Sequence, residues 1–140
     1  VKTTVEELGV DEKIASFVLP LGMTINMNGT AIMQVIATLF IAGCAGYSIS
    51  FTQLVVIALL ALIASAGTPA APGSGAIILF TILSGLGYVN DAAMLAYSLI
   101  LAINRPIEML VTALNVVGDS ATSIYVAKSE GVLNEDVYNA

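Results

Sequence analysis

A long apolar tract runs from the N-terminal region of this chain past its midpoint. Between Lys13 and Asp91 there is no Asp, Glu, Lys or Arg. Only two short polar motifs interrupt the tract, at residues 26–30 and 65–75. Because a bilayer core cannot hydrate polar groups, such tracts are typical of membrane segments, and polar interruptions persist there only against protein or trapped water. The pattern therefore predicts an all-α integral membrane protein that holds a polar site.

The positions of the two interruptions predict how the helices are arranged. Residues 14–43 are long enough for one span, but the first polar motif breaks this helix in its middle. Residues 51–86 form two apolar arms on either side of the Gly- and Pro-rich second motif, which predicts a re-entrant helical hairpin. Residues 91–119 predict a final transmembrane helix, and residues 120–140 a polar tail that is mobile from Lys128 onward.

The final helix carries its polar residues on one stripe. At 100° per residue, five of them fall within a sector of roughly 80°: Asn104, Glu108, Thr112, Asn115 and Asp119. An ionised carboxylate in an apolar span must find a cation or give up its charge. Glu108 has Arg105 three residues away as a structural partner. Asp119 has no cation so close in sequence, which favours a bound cation beside it.

Each polar interruption has a structural and a functional interpretation. The break at residues 26–30 offers free backbone carbonyls and amide oxygens, which suit a desolvated alkali cation. Alternatively, it is a kink whose Asn and Thr side chains bond to neighbouring helices. The hairpin tip is either a tight turn that needs Gly and Pro for its geometry or a lid that closes over a ligand. The density of polar groups favours function at the break.

Composition excludes several other classes of protein. Charged residues make up 10% of the chain and the mean hydropathy is +0.96, whereas about a quarter of the residues in soluble domains are charged. The net charge of −6 comes mostly from the two ends, and four cations make no basic patch for nucleic acid. With Cys44 as the only cysteine and no histidine, intrachain disulfides, zinc sites built on Cys or His clusters and Ser-His or Cys-His catalysis are excluded, so we expect no enzyme.

Three motifs in this order resemble the dicarboxylate/amino acid:cation symporters, the family of glutamate transporters and their prokaryotic homologues. They are residues 20–30, which contain Asn26-Met27-Asn28-Gly29-Thr30, the tip at 65–75, and residues 115–119. The resemblance implies the C-terminal portion of a transport domain: broken helix seven, re-entrant hairpin two and helix eight. The six earlier helices and hairpin one are then missing from this chain. It also implies an extracellular gate formed by the hairpin, an elevator mechanism, a homotrimer, and a multi-pass location in a plasma or inner membrane.

The resemblance also implies where ligands bind, with no cofactor other than the coupling ion. One sodium site would use the carbonyls of Gly22, Asn26 and Asn115 with the Asp119 carboxylate. A second would use Thr24 with the backbone of Ser65, Ala66 and Thr68. The substrate position would be lined by Thr30, Ala71, Gly75, Glu108 and Asn115.

Three positions depart from the pattern of the family. Asn28, which the resemblance places among the cation-binding residues, stands where acidic-substrate members have Asp, so a sodium site there would lack that carboxylate and fewer ions would be coupled. Glu108 replaces an Asp and reaches one methylene further. Val111 replaces the Arg that pairs with a substrate's side-chain carboxylate, which removes a bidentate donor. Arg105 lies on a different face, about 100° from Asn104, and could compensate only by reaching around the helix. An Arg in the missing hairpin one could also take this role.

Together these residues predict secondary-active symport of a small amino acid, driven by sodium or by protons. Glu108 can bind the ammonium group of a substrate, whereas Val111 cannot bind a second carboxylate. We therefore expect a neutral amino acid as substrate rather than an acidic one. The alternatives are symport of a dicarboxylate or acidic amino acid, a truncated or split-transporter fragment with a structural role, and an ion channel lined by the polar stripe.

Overall fold

The chain is entirely helical. The computed structural model describes residues 1–140 and contains no β-strand. Its helices, in chain order, are α1 (Lys2–Glu6), α2 (Glu12–Ile25), α3 (Asn28–Cys44), α4 (Phe51–Ala66), α5 (Ser74–Leu86), α6 (Asp91–Ser129) and α7 (Glu135–Tyr138). The all-α fold expected from the apolar pattern is therefore confirmed.

Two segments are long and apolar enough to cross a membrane. They are Glu12–Cys44, which α2 and α3 form together, and Asp91–Ser129, which is α6. Only 6% of the most apolar stretch of α6 is buried within the chain, and large side chains such as Met109 and Leu110 are exposed. Apolar surface of this extent needs lipid or further protein to cover it, which agrees with a membrane protein.

The first of these segments is broken at Asn26 and Met27. These two residues leave the helical region, with φ and ψ of −111° and 67° for Asn26 and of −99° and 54° for Met27. The N–H of Asn26 still donates to the Gly22 carbonyl at 2.8 Å. Helix α3 starts again at Asn28, so the break lies within the polar motif, where the sequence predicts it.

Helices α4 and α5 are two arms that pack against each other and against α3. Helix α4 begins with a capping box, in which the side chains of Ser50 and Gln53 each accept a hydrogen bond from the other's backbone N–H. At the tip, Gly73 precedes α5 with a φ of 86°, a left-handed conformation that residues with a side chain rarely adopt. The predicted arms, residues 51–66 and 76–86, correspond to α4 and α5.

The last long helix extends beyond its predicted end. We expected it to stop at Asp119, with a polar tail over residues 120–140, but α6 continues to Ser129. The added turns contain no helix breaker and bury Ser123 and Ala127. The helix ends shortly before Gly131, whose φ is 70°, as is common where glycine follows a helix. Polar composition alone misplaced this end, because polar residues with good helical neighbours do not stop a helix.

The apolar core joins α3 and α6 to the base of the hairpin. Its nine buried residues are Ala37, Ile41, Ala42, Ile57, Leu79, Leu83, Tyr88, Ala93 and Ala96. Tyr88 also stacks on Tyr47, with 4.5 Å between ring centroids. This core fixes the base of the hairpin against α3 and α6, whereas the hairpin tip reaches the break between α2 and α3.

The capping box gives a prediction for the stability of the hairpin. We expect Ser50→Ala to destabilise the fold by about 1 kcal/mol, because the N–H of Gln53 loses its side-chain acceptor. Ser50→Gly should cost only about 0.3 kcal/mol, since glycine is tolerated at this position. Thermal unfolding in detergent measures both variants. A Ser50→Ala variant as stable as the unaltered protein would contradict the role of this cap.

Candidate functional site

A cavity of about 660 Å³ lies where the break, the hairpin tip and α6 meet. Small-molecule sites typically enclose about 300–1,000 Å³. Three parts of the chain contribute to its wall. The break and its flanking turns contribute Met23, Asn26, Met27, Thr30 and Met33; the tip contributes Thr68, Pro69, Ala70, Ala71, Pro72, Ser74 and Gly75; and α6 contributes Arg105, Glu108, Met109, Val111, Thr112, Asn115, Val116 and Asp119.

Asp119 joins α6 to the break. It is 5% exposed, and its Oδ1 accepts a hydrogen bond from Asn26 Nδ2 at 2.8 Å. None of the three ion pairs in the chain involves Asp119. A buried carboxylate with one neutral partner keeps unused lone pairs and an uncompensated charge. A cation bound beside Asp119 would stabilise this carboxylate.

Two glycines let neighbouring helices approach each other closely around Asp119. A Cβ atom on Gly22 would overlap Asp119 Oδ1 and would lie 2.6 Å from Asp119 Cγ. A Cβ atom on Gly118 would lie 2.9 Å from Asn28 Oδ1. Any side chain at either position would force the helices apart or displace the carboxylate. The glycines therefore determine how closely α2 and the start of α3 pack on α6.

Asn115 links the start of α3 to α6 through hydrogen bonds. Its Oδ1 accepts a hydrogen bond from the Gly29 N–H at 2.8 Å, and its Nδ2 donates to Thr30 Oγ1 at 3.2 Å. The first N–H groups of a helix have no partner within the helix, and Asn115 supplies one for Gly29. The side-chain amide is therefore engaged at both ends, and it forms an ordered part of the cavity wall.

Glu108 connects the hairpin tip with α6. Its Oε1 accepts a hydrogen bond from the Gly73 N–H at 2.7 Å, and its Oε2 lies 3.3 Å from Arg105 Nη1. Arg105 lines the cavity beside Glu108. Arg105 therefore reaches the cavity around the helix, as the sequence analysis allowed. The Arg side chain is long enough to cover the difference in helical angle.

Most of the predicted site residues meet at this cavity. All of the predicted substrate residues line it, namely Thr30, Ala71, Gly75, Glu108, Val111 and Asn115. Among the predicted cation residues, Asn26, Thr68, Asn115 and Asp119 line it. Gly22 and Asn28 do not line the cavity but lie against α6, Gly22 at Asp119 and Asn28 at Gly118.

The second predicted cation site has few of its residues on the cavity wall. Of its four residues only Thr68 lines the wall, and Thr24, Ser65 and Ala66 do not. The hydroxyl of Thr24 donates to the Leu21 carbonyl at 2.7 Å. The hydroxyls of Ser65 and Thr68 likewise donate to carbonyls of α4, at 2.9 and 2.8 Å. Each hydroxyl is thus satisfied locally, close to its own position in the chain.

The sequence analysis missed the thioethers on the cavity wall. Four methionines line it: Met23, Met27, Met33 and Met109. The Sδ atom of Met27 accepts hydrogen bonds from Thr30 Oγ1 at 3.6 Å and from Asn115 Nδ2 at 3.4 Å. Met23 and Met27 flank Asn26 at a spacing of four, which was a usable signal. Methionine is polarizable and adapts its shape to irregular spaces.

Comparison with known proteins identifies a family. The model of the sodium:dicarboxylate symporter family matches residues 1–129. An excitatory amino acid transporter from Onchocerca volvulus is 40% identical over 116 residues, which are 82% of this chain and 23% of that protein. Excitatory amino acid transporter 2 from Homo sapiens is 38% identical over 128 residues, or 89% of this chain and 22% of the relative.

A third relative is also matched over only part of its length. Excitatory amino acid transporter 1 from Rattus norvegicus is 37% identical over 115 residues, which are 82% of this chain and 20% of that protein. The chain thus spans less than a quarter of the length of the three relatives described. The family match agrees with the resemblance carried by the three motifs.

Proposed function

Because this chain belongs to the sodium:dicarboxylate symporter family, we propose that it forms the ligand-binding part of a sodium-coupled symporter for acidic amino acids or other dicarboxylates. The observation that carries the proposal is the cavity, where a broken helix, a hairpin tip and a polar helix face meet. Buried carboxylate and exposed backbone at one place suit the joint binding of a small cation and a polar solute.

The proposed substrate class differs from the neutral amino acid expected from Val111. The family is described by dicarboxylates, and the relatives are named for excitatory amino acids. Neither description supports a neutral preference. Val111 lines the cavity and has no hydrogen-bond donor in its side chain. A second carboxylate on the substrate must therefore find its partner elsewhere on the wall.

In this proposal, sodium binds at Asp119. The carboxylate supplies the charge, and the backbone carbonyls of Gly22, Asn26 and Asn115 supply neutral oxygen ligands. The close approach of Gly22 to Asp119 supports the assignment, because it brings the end of α2 to the carboxylate without an intervening side chain. A second sodium position, at Thr24 and the backbone of Ser65, Ala66 and Thr68, is proposed by resemblance alone.

We propose that α4 and α5 act as a re-entrant hairpin whose tip gates the cavity. The hydrogen bond from Gly73 to Glu108 supports this role, because it is the kind of single contact that a gate can make and break. Elevator movement, a homotrimer and a multi-pass location in the cell membrane belong to the same proposal. The relatives are more than four times as long as the region that matches this chain. In the proposed symporter, further helices would complete the walls of the cavity.

Sodium-dependent uptake tests the proposed function. We expect the protein, reconstituted into liposomes with the helices that complete it, to accumulate labelled L-aspartate under an inward sodium gradient. A choline gradient should give no accumulation, and a proton gradient without sodium should give little. Saturable uptake that favours L-aspartate over L-alanine would support a carrier for acidic amino acids. Unsaturable, unselective flux would instead indicate a channel, and no flux would contradict the proposal.

A further inference from the structure

Arg105 is the only cation on the wall of the cavity. The chain contains four Lys and Arg residues, and Arg105 alone among them lines the cavity. The same wall carries the carboxylates of Glu108 and Asp119. An anionic group on a ligand would therefore have one charged side chain on this chain to bind, and that side chain is Arg105.

Most of the hydrogen-bonding capacity of Arg105 is unused. A guanidinium group has five N–H donors, and the Arg105 side chain makes one hydrogen bond, from Nη1 to Glu108 Oε2 at 3.3 Å. Charge-assisted pairs are usually shorter, about 2.7–2.9 Å. The Arg105 side chain is 74% exposed, although it lies within a candidate span. Because an intramembrane charge needs partners, the free donors leave room for a second anion.

Glu108 determines where the guanidinium group is held. One carboxylate oxygen is fixed by the Gly73 N–H at the hairpin tip, and the other faces Arg105. The Glu108 side chain is only 17% exposed, so its position is well defined by its surroundings. Glu108 therefore keeps the guanidinium group next to the tip, on the cavity side of α6.

From these contacts we propose that Arg105 binds the side-chain carboxylate of an acidic substrate, and that Glu108 positions the guanidinium group for this task. The planar fork of a guanidinium group matches a carboxylate through two parallel hydrogen bonds. Val111, where the family resemblance would put this contact, cannot make it. The inference rests on the proposed function and names the residue that would give that function its selectivity.

The test compares L-aspartate with L-asparagine, which have nearly the same shape but differ in side-chain charge. In the reconstituted protein, we expect Arg105→Met to weaken sodium-dependent binding of aspartate by about 10- to 100-fold, as is typical when a charge-assisted hydrogen bond is lost. Asparagine binding should change by about threefold or less, because its neutral amide offers Arg105 one acceptor oxygen and no charge. Arg105→Lys keeps the charge without the fork and should give an intermediate affinity for aspartate.

Lys128→Met is the matched control. It removes a cation from the same helix, at an exposed pair with Glu135, and should leave both affinities unchanged. Equal losses for aspartate and asparagine in Arg105→Met would overturn the inference, because they would place the contact at a group common to both ligands. Unchanged aspartate binding would overturn it too.

A second variant keeps the inference testable if Arg105→Met does not fold. In that case Arg105→Lys decides: an aspartate-to-asparagine affinity ratio equal to that of the unaltered protein would overturn the inference, and a reduced ratio would support it. Failure of the proposed function is a separate result. If the unaltered protein bound neither ligand in sodium, the symporter proposal itself would fail, and the role of Arg105 with it.

Discussion

Replacement of Asp119 by Asn is expected to weaken sodium binding by about 100-fold or more, the effect typical of removing one partner from a buried charge pair. The substitution removes a charge with almost no change in shape, and the new side-chain oxygen can still accept the hydrogen bond from Asn26 Nδ2. Because Asp119 is buried and forms no ion pair within the chain, the interaction that is lost would be the one with the proposed sodium ion.

Asp91→Asn is the matched control for this prediction. It makes the same chemical change in the same helix, at the exposed first residue of α6, and should leave sodium affinity unchanged. Titration of uptake against sodium, at a fixed concentration of labelled aspartate, measures both variants. A sodium affinity in Asp119→Asn close to that of Asp91→Asn would remove Asp119 from the proposed sodium site.

Substitution of Gly22 by Ala is expected to destabilise the fold by about 1–3 kcal/mol, the usual cost of overpacking. The added Cβ would overlap the Asp119 carboxylate, so either α2 must move away from α6 or the carboxylate must shift. In an unobstructed helix the same change normally stabilises, by about 0.5–1 kcal/mol. A loss of stability in Gly22→Ala, rather than a gain, would therefore indicate that Gly22 packs against Asp119. Sodium affinity should fall together with stability, because the carboxylate is displaced.

Gly43→Ala and Gly85→Ala are the controls for Gly22→Ala. Both glycines lie within helices, α3 and α5, and a Cβ atom at either position would meet nothing within 4 Å. We expect equal or higher melting temperatures in detergent for these two variants, and unchanged sodium affinity. If Gly22→Ala melted as high as Gly43→Ala, the close packing of α2 on Asp119 would be contradicted.

The family and the order of the helices could be predicted from sequence. Polar groups within an apolar membrane segment cost free energy, so their positions indicate breaks and binding sites. The break at Asn26 and Met27 and the arms of the hairpin lie where the pattern predicts them. Four members of the polar stripe on α6 also line the cavity. The resemblance to a symporter family, carried by three motifs, is confirmed by the family match over residues 1–129.

Side-chain contacts could not be predicted in the same way. Helical periodicity gives the direction of a Cα–Cβ bond, so it placed Arg105 off the polar stripe although this residue lines the cavity. It also grouped Asn104 with the stripe, whereas Asn104 is buried away from the cavity and its Oδ1 has no hydrogen-bond partner. The last turns of α6 pack against α2 and the segment before it through Val10, Ala15 and Ala127, a contact that composition does not reveal.

The break at Asn26 and Met27 puts opposite helix poles next to each other. Helix α2 ends in carbonyl groups, the negative end of its macrodipole, and α3 begins with N–H groups, the positive end of its own. A cation at the first pole and an anion at the second would each reduce the electrostatic cost of binding the other. By thermodynamic reciprocity, each ligand would then raise the affinity for its companion by the same factor. Coupling between ion and solute would thus originate within a single interrupted helix, before any larger movement takes place.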